Sequence, residues 1–306
     1  MPRGIHGKIV MPFEPTAPTL SESELDRIVA VALAEDMAQS DITSDILIPA
    51  NLSGRVIVLI KKRGVLAGGA VAGKAFRQVD PSLRVESLIK DGTPVKSGDI
   101  VAAVSGRVSS ILKAERVALN LLQRLSGIAS LTAQYVRRTR GTNALIVDTR
   151  KTTPGLRMLE KYAVWMGGGR NHRFNLSDGI LIKDNHIAAM RALGMSLRDM
   201  VVKAKKGAPT GIMVEIEVTS LPEAQEALMA GADIIMLDNM GVEEMRRAVE
   251  LISGKAKIEA SGGITLATVR QVALTGVDII SIGALTHSYK SLDISIELEP
   301  ESLKPA

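Results

Sequence analysis

The chain has no cysteine among its 306 residues. Disulfides, thiolate-bound zinc, iron–sulfur clusters and cysteine nucleophiles are therefore excluded. Aromatic residues are almost as scarce, with one Trp, three Tyr and three Phe. That composition offers no stacking platform for single-stranded nucleic acid and no membrane aromatic belt. The core has to be built from Ile, Leu, Val, Ala and Met. There are four His and no HExxH, so a histidine-based zinc site is not expected. No apolar run reaches the roughly 18 residues of a transmembrane helix. The Pro-rich N-terminus lacks an apolar signal core. The expectation is a soluble cytoplasmic protein that binds neither membrane nor nucleic acid. Charge leans mildly basic, with 38 Lys and Arg against 33 Asp and Glu.

Residues 1–20 read as a loose tail. Ser21 to Met37 reads as a helix, with Ser21 and Glu24 as a capping box. Leu25, Ile28, Val29, Ala32 and Leu33 form its apolar stripe. Residues 54–106 are short β-branched runs divided by Gly and Asp-Gly turns, the pattern of a small β-rich module. Residues 113–140 read as a long helix with Gly127 as a break. From residue 145 onward apolar runs recur at 145–150, 179–185, 212–218, 232–239, 257–263 and 278–283, with helical patterns between most of them. Ser220 and Glu223 cap one of these helices, with Pro222 in its first turn. Such alternation means parallel strands covered by helices. A β/α barrel fits it best, and an open doubly wound sheet is the alternative. Six strands are visible, fewer than the eight of a complete barrel.

Each run is apolar until its C-terminal end and then presents chemistry. The ends carry Asp148 to Lys151, Lys183 to Asn185, Glu215 and Glu217, Asp238 and Asn239, Glu259 to Gly263, and Gly283. Strand C-termini line the mouth where barrel active sites sit. Arg150, Lys151, His172, Arg173 and Lys183 form a basic group, suited to an anionic substrate with more than one carboxylate or phosphate. Glu217 and Asp238 end consecutive strands. They could hold Mg²⁺ through oxygen ligands, act as an acid/base pair, or make structural salt bridges. Ser261-Gly262-Gly263 and Ile282-Gly283-Ala284 sit where helix N-termini could cradle a phosphate. Gly167-Gly168-Gly169 is a further Gly-rich turn. The residues thus point to a β/α barrel enzyme handling a phosphorylated sugar, Mg²⁺ and a small anionic partner.

At these same residues the chain resembles quinolinate phosphoribosyltransferases. The motifs are DTRKT (148–152), GGGRNHR (167–173), LIKDNH (181–186) and EASGGI (259–264), and the resemblance covers most of the chain. It implies that quinolinate and phosphoribosyl pyrophosphate give nicotinate mononucleotide, pyrophosphate and CO₂, with Mg²⁺. It implies that Thr149, Arg150, Lys151, His172, Arg173 and Lys183 surround the quinolinate carboxylates and reach toward the phosphates. Glu217 and Asp238 would serve the ribose hydroxyls and the Mg²⁺-pyrophosphate, and with Lys151 and Lys183 they are the expected catalytic set. Ser261, Gly262, Gly263, Gly283, Ala284 and His287 would hold the 5′-phosphate region. Arg116 matches an arginine lent across a homodimer interface, and a higher homo-oligomer is compatible with this. The implied fold is an N-terminal α/β sandwich over 21–128, joined by the returning segment 289–306, and an open, incomplete seven-stranded α/β barrel over 129–288.

The implied mechanism needs no nucleophilic residue and no covalent intermediate. Pyrophosphate leaves, ribose C1 gains oxocarbenium character, and the ring nitrogen attacks. The resulting cationic nitrogen is an electron sink for loss of CO₂. Trp165 and Met166 depart from the family pattern, standing where many members carry a basic residue and a cysteine. The rival readings are a related phosphoribosyltransferase acting on nicotinate or another heterocycle, and a lipoyl- or biotin-carrier module at 90–106. The second lacks a lysine in the required hairpin.

Overall fold

The computed structural model describes residues 17–305, so residues 1–16 of the expected tail lie outside the described residues. The N-terminal part runs α1 (Glu22–Glu35), α2 (Ile42–Leu47), β1 (Leu52–Ile60), β2 (Gly64–Val65), α3 (Gly69–Val79), β3 (Arg84–Ser87), β4 (Pro94–Val95), β5 (Ile100–Arg107) and α4 (Val108–Arg138). Ser21 caps α1 as its spacing predicts. Its Oγ accepts the Glu24 N–H at 3.3 Å, and Leu25, Ile28 and Val29 are buried below.

Residues 54–106 are not all β. Helix α3 interrupts them and buries Val71, Ala72, Ala75 and Phe76. Its start has no local capping side chain. Asp91, more than 20 residues later, accepts the N–H groups of Gly68 at 2.8 Å and Gly69 at 3.1 Å. A cap supplied from that distance leaves no local signature, and the small residues of α3 hide its period. Helix α4 also departs from expectation, running unbroken through Gly127. A Cβ there would stand 2.4 Å from the Lys290 carbonyl oxygen, so this glycine admits a crossing backbone and breaks nothing. Residue 128, the expected division, lies inside α4.

The remaining elements are β6 (Leu145–Val147), α5 (Arg157–Met166), β7 (Ile180–Ile182), α6 (Asp184–Ala192), α7 (Leu197–Gly207), β8 (Val214–Val218), α8 (Leu221–Met229), β9 (Ile234–Asp238), α9 (Val242–Ile252), β10 (Lys257–Ser261), α10 (Val269–Ala273), β11 (Ile279–Ser281), α11 (Ala284–His287), β12 (Ile294–Leu298) and β13 (Lys304–Pro305). Strand β12 pairs antiparallel with β1, giving the first sheet the order β12-β1-β5-β3.

The second sheet is parallel, in the order β6-β11-β10-β9-β8-β7. Strands β7 to β11 follow one another around it without reversal and β6 completes the arc, as in a barrel. A doubly wound sheet would reverse at a switch point. Six strands form, and a single parallel bridge between Val147 and Arg170 occupies the seventh position. The ring is open between that bridge and β7. Period two sends Glu215, Glu217, Met236, Asp238, Glu259, Ser261 and Ser281 inward and Ile216, Ile235, Leu237, Ile258 and Ile280 to the helix layer. A separate apolar cluster of Val147, Ile234 and Ile279, with Met213 against it, plugs the interior.

Candidate active site

Above that plug, at the C-terminal ends of the strands, lies a cavity of about 600 Å³. Its first wall is the loop after β6, carrying Thr149, Arg150 and Lys151. The loop is tied from behind. Thr149 Oγ1 accepts the Lys151 N–H at 3.1 Å, and Thr286 Oγ1 donates to the Lys151 carbonyl at 2.7 Å. The fully buried Glu160 accepts the Thr153 N–H at 3.1 Å and pairs with Arg124 of α4. With its stem held, the loop presents Arg150 and Lys151 to the cavity.

The second wall is the segment 170–173 that stands in for a strand. A buried network fixes it. Lys161 Nζ donates to Asp148 Oδ1 at 2.5 Å and to the His172 carbonyl at 2.9 Å. Asp148 also accepts Asn171 Nδ2 at 2.7 Å and the His172 N–H at 2.8 Å. Both charged groups are wholly buried. Burial pushes the Asp148 pKa up and the Lys161 pKa down, and each partner opposes the shift of the other.

The glycines before this segment do not line the cavity. A Cβ on Gly167 would stand 2.5 Å from the Ala129 carbonyl oxygen, and one on Gly169 would stand 2.8 Å from Thr132. They let the chain pass tightly under α4, which is packing and not anion binding. Trp165 lies outside the cavity too. The Arg170 guanidinium sits over its ring, 4.3 Å from the centroid.

His172 lines the cavity, but its ring nitrogens face the protein. Nδ1 accepts the Arg173 N–H at 2.8 Å. Nε2 lies 3.1 Å from Glu215 Oε2 and 3.5 Å from Glu259 Oε2, and all three residues are buried. Burial lowers the ring's pKa, but Glu259 and then Glu215 outweigh it and pull it up to about 10. The backbone opposes protonation, because a protonated Nδ1 would confront the Arg173 donor. The ring is thus held between the Arg173 N–H at Nδ1 and the two carboxylates at Nε2. Glu215 is pushed up to about 7, first by burial and then by Glu259 beside it. The His172, Glu215 and Glu259 ligand atoms lie within 4.8 Å of one another.

Arg173 donates to the Gly179 carbonyl at 2.9 Å. Its pKa is lowered by burial and then by Arg150, which places two guanidinium groups close together. Neither forms an ion pair among the described residues, and Arg150 Nε is buried without a partner there. On the opposite rim Lys183 Nζ lies 3.5 Å from Glu217 Oε1, and Glu217 Oε2 accepts the Asp184 N–H at 3.2 Å. Asp238 accepts Asn239 Nδ2 at 2.9 Å, its one side-chain hydrogen bond among the described residues.

Ser261, Gly262 and Gly263 close the cavity. Gly262 has φ +87°, and a Cβ there would fall 2.2 Å from Asn239 Oδ1. Gly262→Ala is therefore expected to destabilise by roughly 1–3 kcal/mol and to displace Asn239. A denaturant titration beside a binding curve for the phosphorylated substrate checks both effects, and wild-type values in each would refute the reading. Gly283, Ala284 and His287 lie behind Lys151 and do not line this cavity. A Cβ on Gly283 would meet His287 Nε2 at 3.0 Å and Lys151 Cδ at 3.2 Å. Arg116 is exposed on α4, away from the cavity of its own chain.

Sequence reasoning named Asp148, Glu215 and Glu259 as strand-end groups without giving them a role. The available signal was a charge every second residue inside otherwise apolar strands, which marks an interior face.

Comparison with known proteins agrees along the chain. Residues 41–126 and 128–297 match the family models for the N- and C-terminal domains of quinolinate phosphoribosyl transferase. A Bacillus subtilis protein described as a probable nicotinate-nucleotide pyrophosphorylase (carboxylating) is 42% identical over 279 residues, covering 91% of this chain and 95% of its own. The chloroplastic nicotinate-nucleotide pyrophosphorylase (carboxylating) of Arabidopsis thaliana is 41% identical, covering 96% and 88%. The crystal structure of NadC from Streptococcus pyogenes superposes with a TM-score of 0.87 at 44% identity, covering 94% of this chain and 99% of that one.

Proposed function

The chain belongs to the quinolinate phosphoribosyl transferase family, and from that premise we propose that it transfers a phosphoribosyl group from phosphoribosyl pyrophosphate to quinolinate. The products are nicotinate mononucleotide, pyrophosphate and CO₂, a step of de novo NAD biosynthesis. The observation that carries the acceptor is the pair Arg150 and Arg173, two neighbouring guanidiniums on the cavity wall that form no ion pair among the described residues. Like charges so close call for an anion between them, and a planar dicarboxylate suits two forks. Nicotinate, with a single carboxylate, would leave one fork unmatched.

Glu217 and Asp238 offer hard oxygen ligands on adjacent strand ends, and Asp238 has one hydrogen-bond donor to satisfy it. That donor set fits Mg²⁺ with most positions left to water and substrate. Bound there, the ion would neutralise the departing pyrophosphate. Lys183, held beside Glu217, directs its ammonium toward the same rim. Lys151 reaches from the opposite wall, and Ser261 to Gly263 offer backbone donors. All of these groups act by position and charge.

Arg116, exposed and not among the residues lining its own cavity, is suited to complete the site of a second copy in a homodimer. No described helix is long and apolar enough to cross a membrane, and we place the enzyme in the cytoplasm. The test is turnover with quinolinate, phosphoribosyl pyrophosphate and Mg²⁺, with nicotinate in parallel. Stoichiometric CO₂ and nicotinate mononucleotide are expected from quinolinate. Activity confined to nicotinate would reassign the acceptor.

A further inference from the structure

Glu259 is fully buried below the cavity, and neither of its carboxylate oxygens has a hydrogen-bond partner among the described residues. Leaving a buried acceptor unmet costs roughly 1–3 kcal/mol, and more for a charged one, so such a group calls for a functional account. His172 Nε2 lies 3.5 Å from its Oε2. The same Nε2 lies nearer to Glu215, at 3.1 Å, while the Arg173 N–H occupies Nδ1. Two buried carboxylates thus share a single imidazole, which cannot offset both. The cavity above is walled by Arg150, Lys151, Arg173 and Lys183, and Glu259 lies at its floor.

That arrangement suits a reaction in which charge changes sign at one place. The following step rests on the acceptor being quinolinate. Its neutral ring nitrogen bonds to ribose C1 as the C1–oxygen bond to pyrophosphate breaks. The pair of electrons leaves with pyrophosphate, and the ring nitrogen becomes a quaternary cation. Cationic walls hold the carboxylates well and oppose the cation that forms. We propose that Glu259 supplies the counter-charge for this developing cation. A fixed buried charge aimed at the place where charge develops favours the transition state over the ground state. It costs no reorganisation, because period two along β10 and the packed His172 ring already hold it in place.

The test compares Glu259→Gln and Glu259→Met with Glu259→Asp, which keeps the charge, in the full-length enzyme. Wild-type turnover is established first, since absence of CO₂ from wild type would refute the acceptor and not the role of Glu259. Three binding measurements follow on each variant: KM for quinolinate, Kd for nicotinate mononucleotide, and Kd for benzene-1,2-dicarboxylate. The last carries both carboxylates and no ring nitrogen. In the Gln and Met variants kcat is expected to fall about a hundredfold. Affinity for the cationic product should fall about tenfold, while KM and the dicarboxylate Kd stay within about threefold. The Asp variant should retain the discrimination between cation and neutral analogue. Parallel loss of both ligands would show a merely structural residue and overturn the proposal, as would a kcat near wild type.

Discussion

Replacing Lys161 with methionine is expected to destabilise the protein by roughly 3–5 kcal/mol, because it strands a buried carboxylate. Asp148 has no exposure, and three donors converge on it, of which Lys161 is the only cation. Methionine matches the length and the apolar stem but not the charge. The loss should exceed a simple stability effect, since Lys161 also holds the His172 carbonyl. Segment 170–173 has no strand ladder of its own beyond the single bridge at Arg170. Without the pair, His172 and Arg173 lose their anchor, and acceptor binding should fail before the fold does. The double replacement Asp148→Asn with Lys161→Met should recover part of the stability, because it leaves no buried charge. Denaturant midpoints for the two variants decide the matter. A single variant within about 1 kcal/mol of wild type, the ordinary range for point mutants, would show that the pair does not hold the segment.

Arg150→Ala should leave the fold intact and weaken quinolinate binding. A charge-assisted hydrogen bond is worth about 1.5–3 kcal/mol, or roughly 10- to 150-fold in KM for one contact and more for a bidentate one. Its Nε is buried without a partner among the described residues, so the side chain makes no structural bond there that alanine would break. Removing it also relieves Arg173, whose pKa Arg150 helps to lower. The KM for phosphoribosyl pyrophosphate should change little. Equal losses for both substrates would move Arg150 from the acceptor to the general electrostatics of the cavity. Unchanged kinetics would remove it from the site altogether.

Much of the architecture was legible along the chain. Six apolar runs became six parallel strands, and their polar C-terminal ends became one cavity wall after another. Period two and the one-sided placement of charge sufficed, because parallel strands covered by helices are apolar except where they emerge. The motifs then named the family. Three features were not legible. Helix α3 is capped by Asp91 from another segment. The Gly167–Gly169 run read only as a Gly-rich turn and is a crossing under α4. His172 looked like one more cation of the mouth, yet both ring nitrogens are engaged within the protein.

Composition and order along the chain determined what kind of chemistry was available: no thiols, few rings, many cations at strand ends, and carboxylates on two neighbouring strands. They also determined which side chains point inward, since that is a local property of an extended backbone. Which inward side chains meet depended on closure of the sheet, a matter of pairing between segments far apart in sequence. The fold alone set Lys161 against Asp148, brought Glu259 and Glu215 to one imidazole, and placed the Arg173 N–H on His172 Nδ1. Those contacts decide the charge state of the cavity floor. A charge state depends on burial and on neighbours within a few ångströms, and neither is written in the order of the residues.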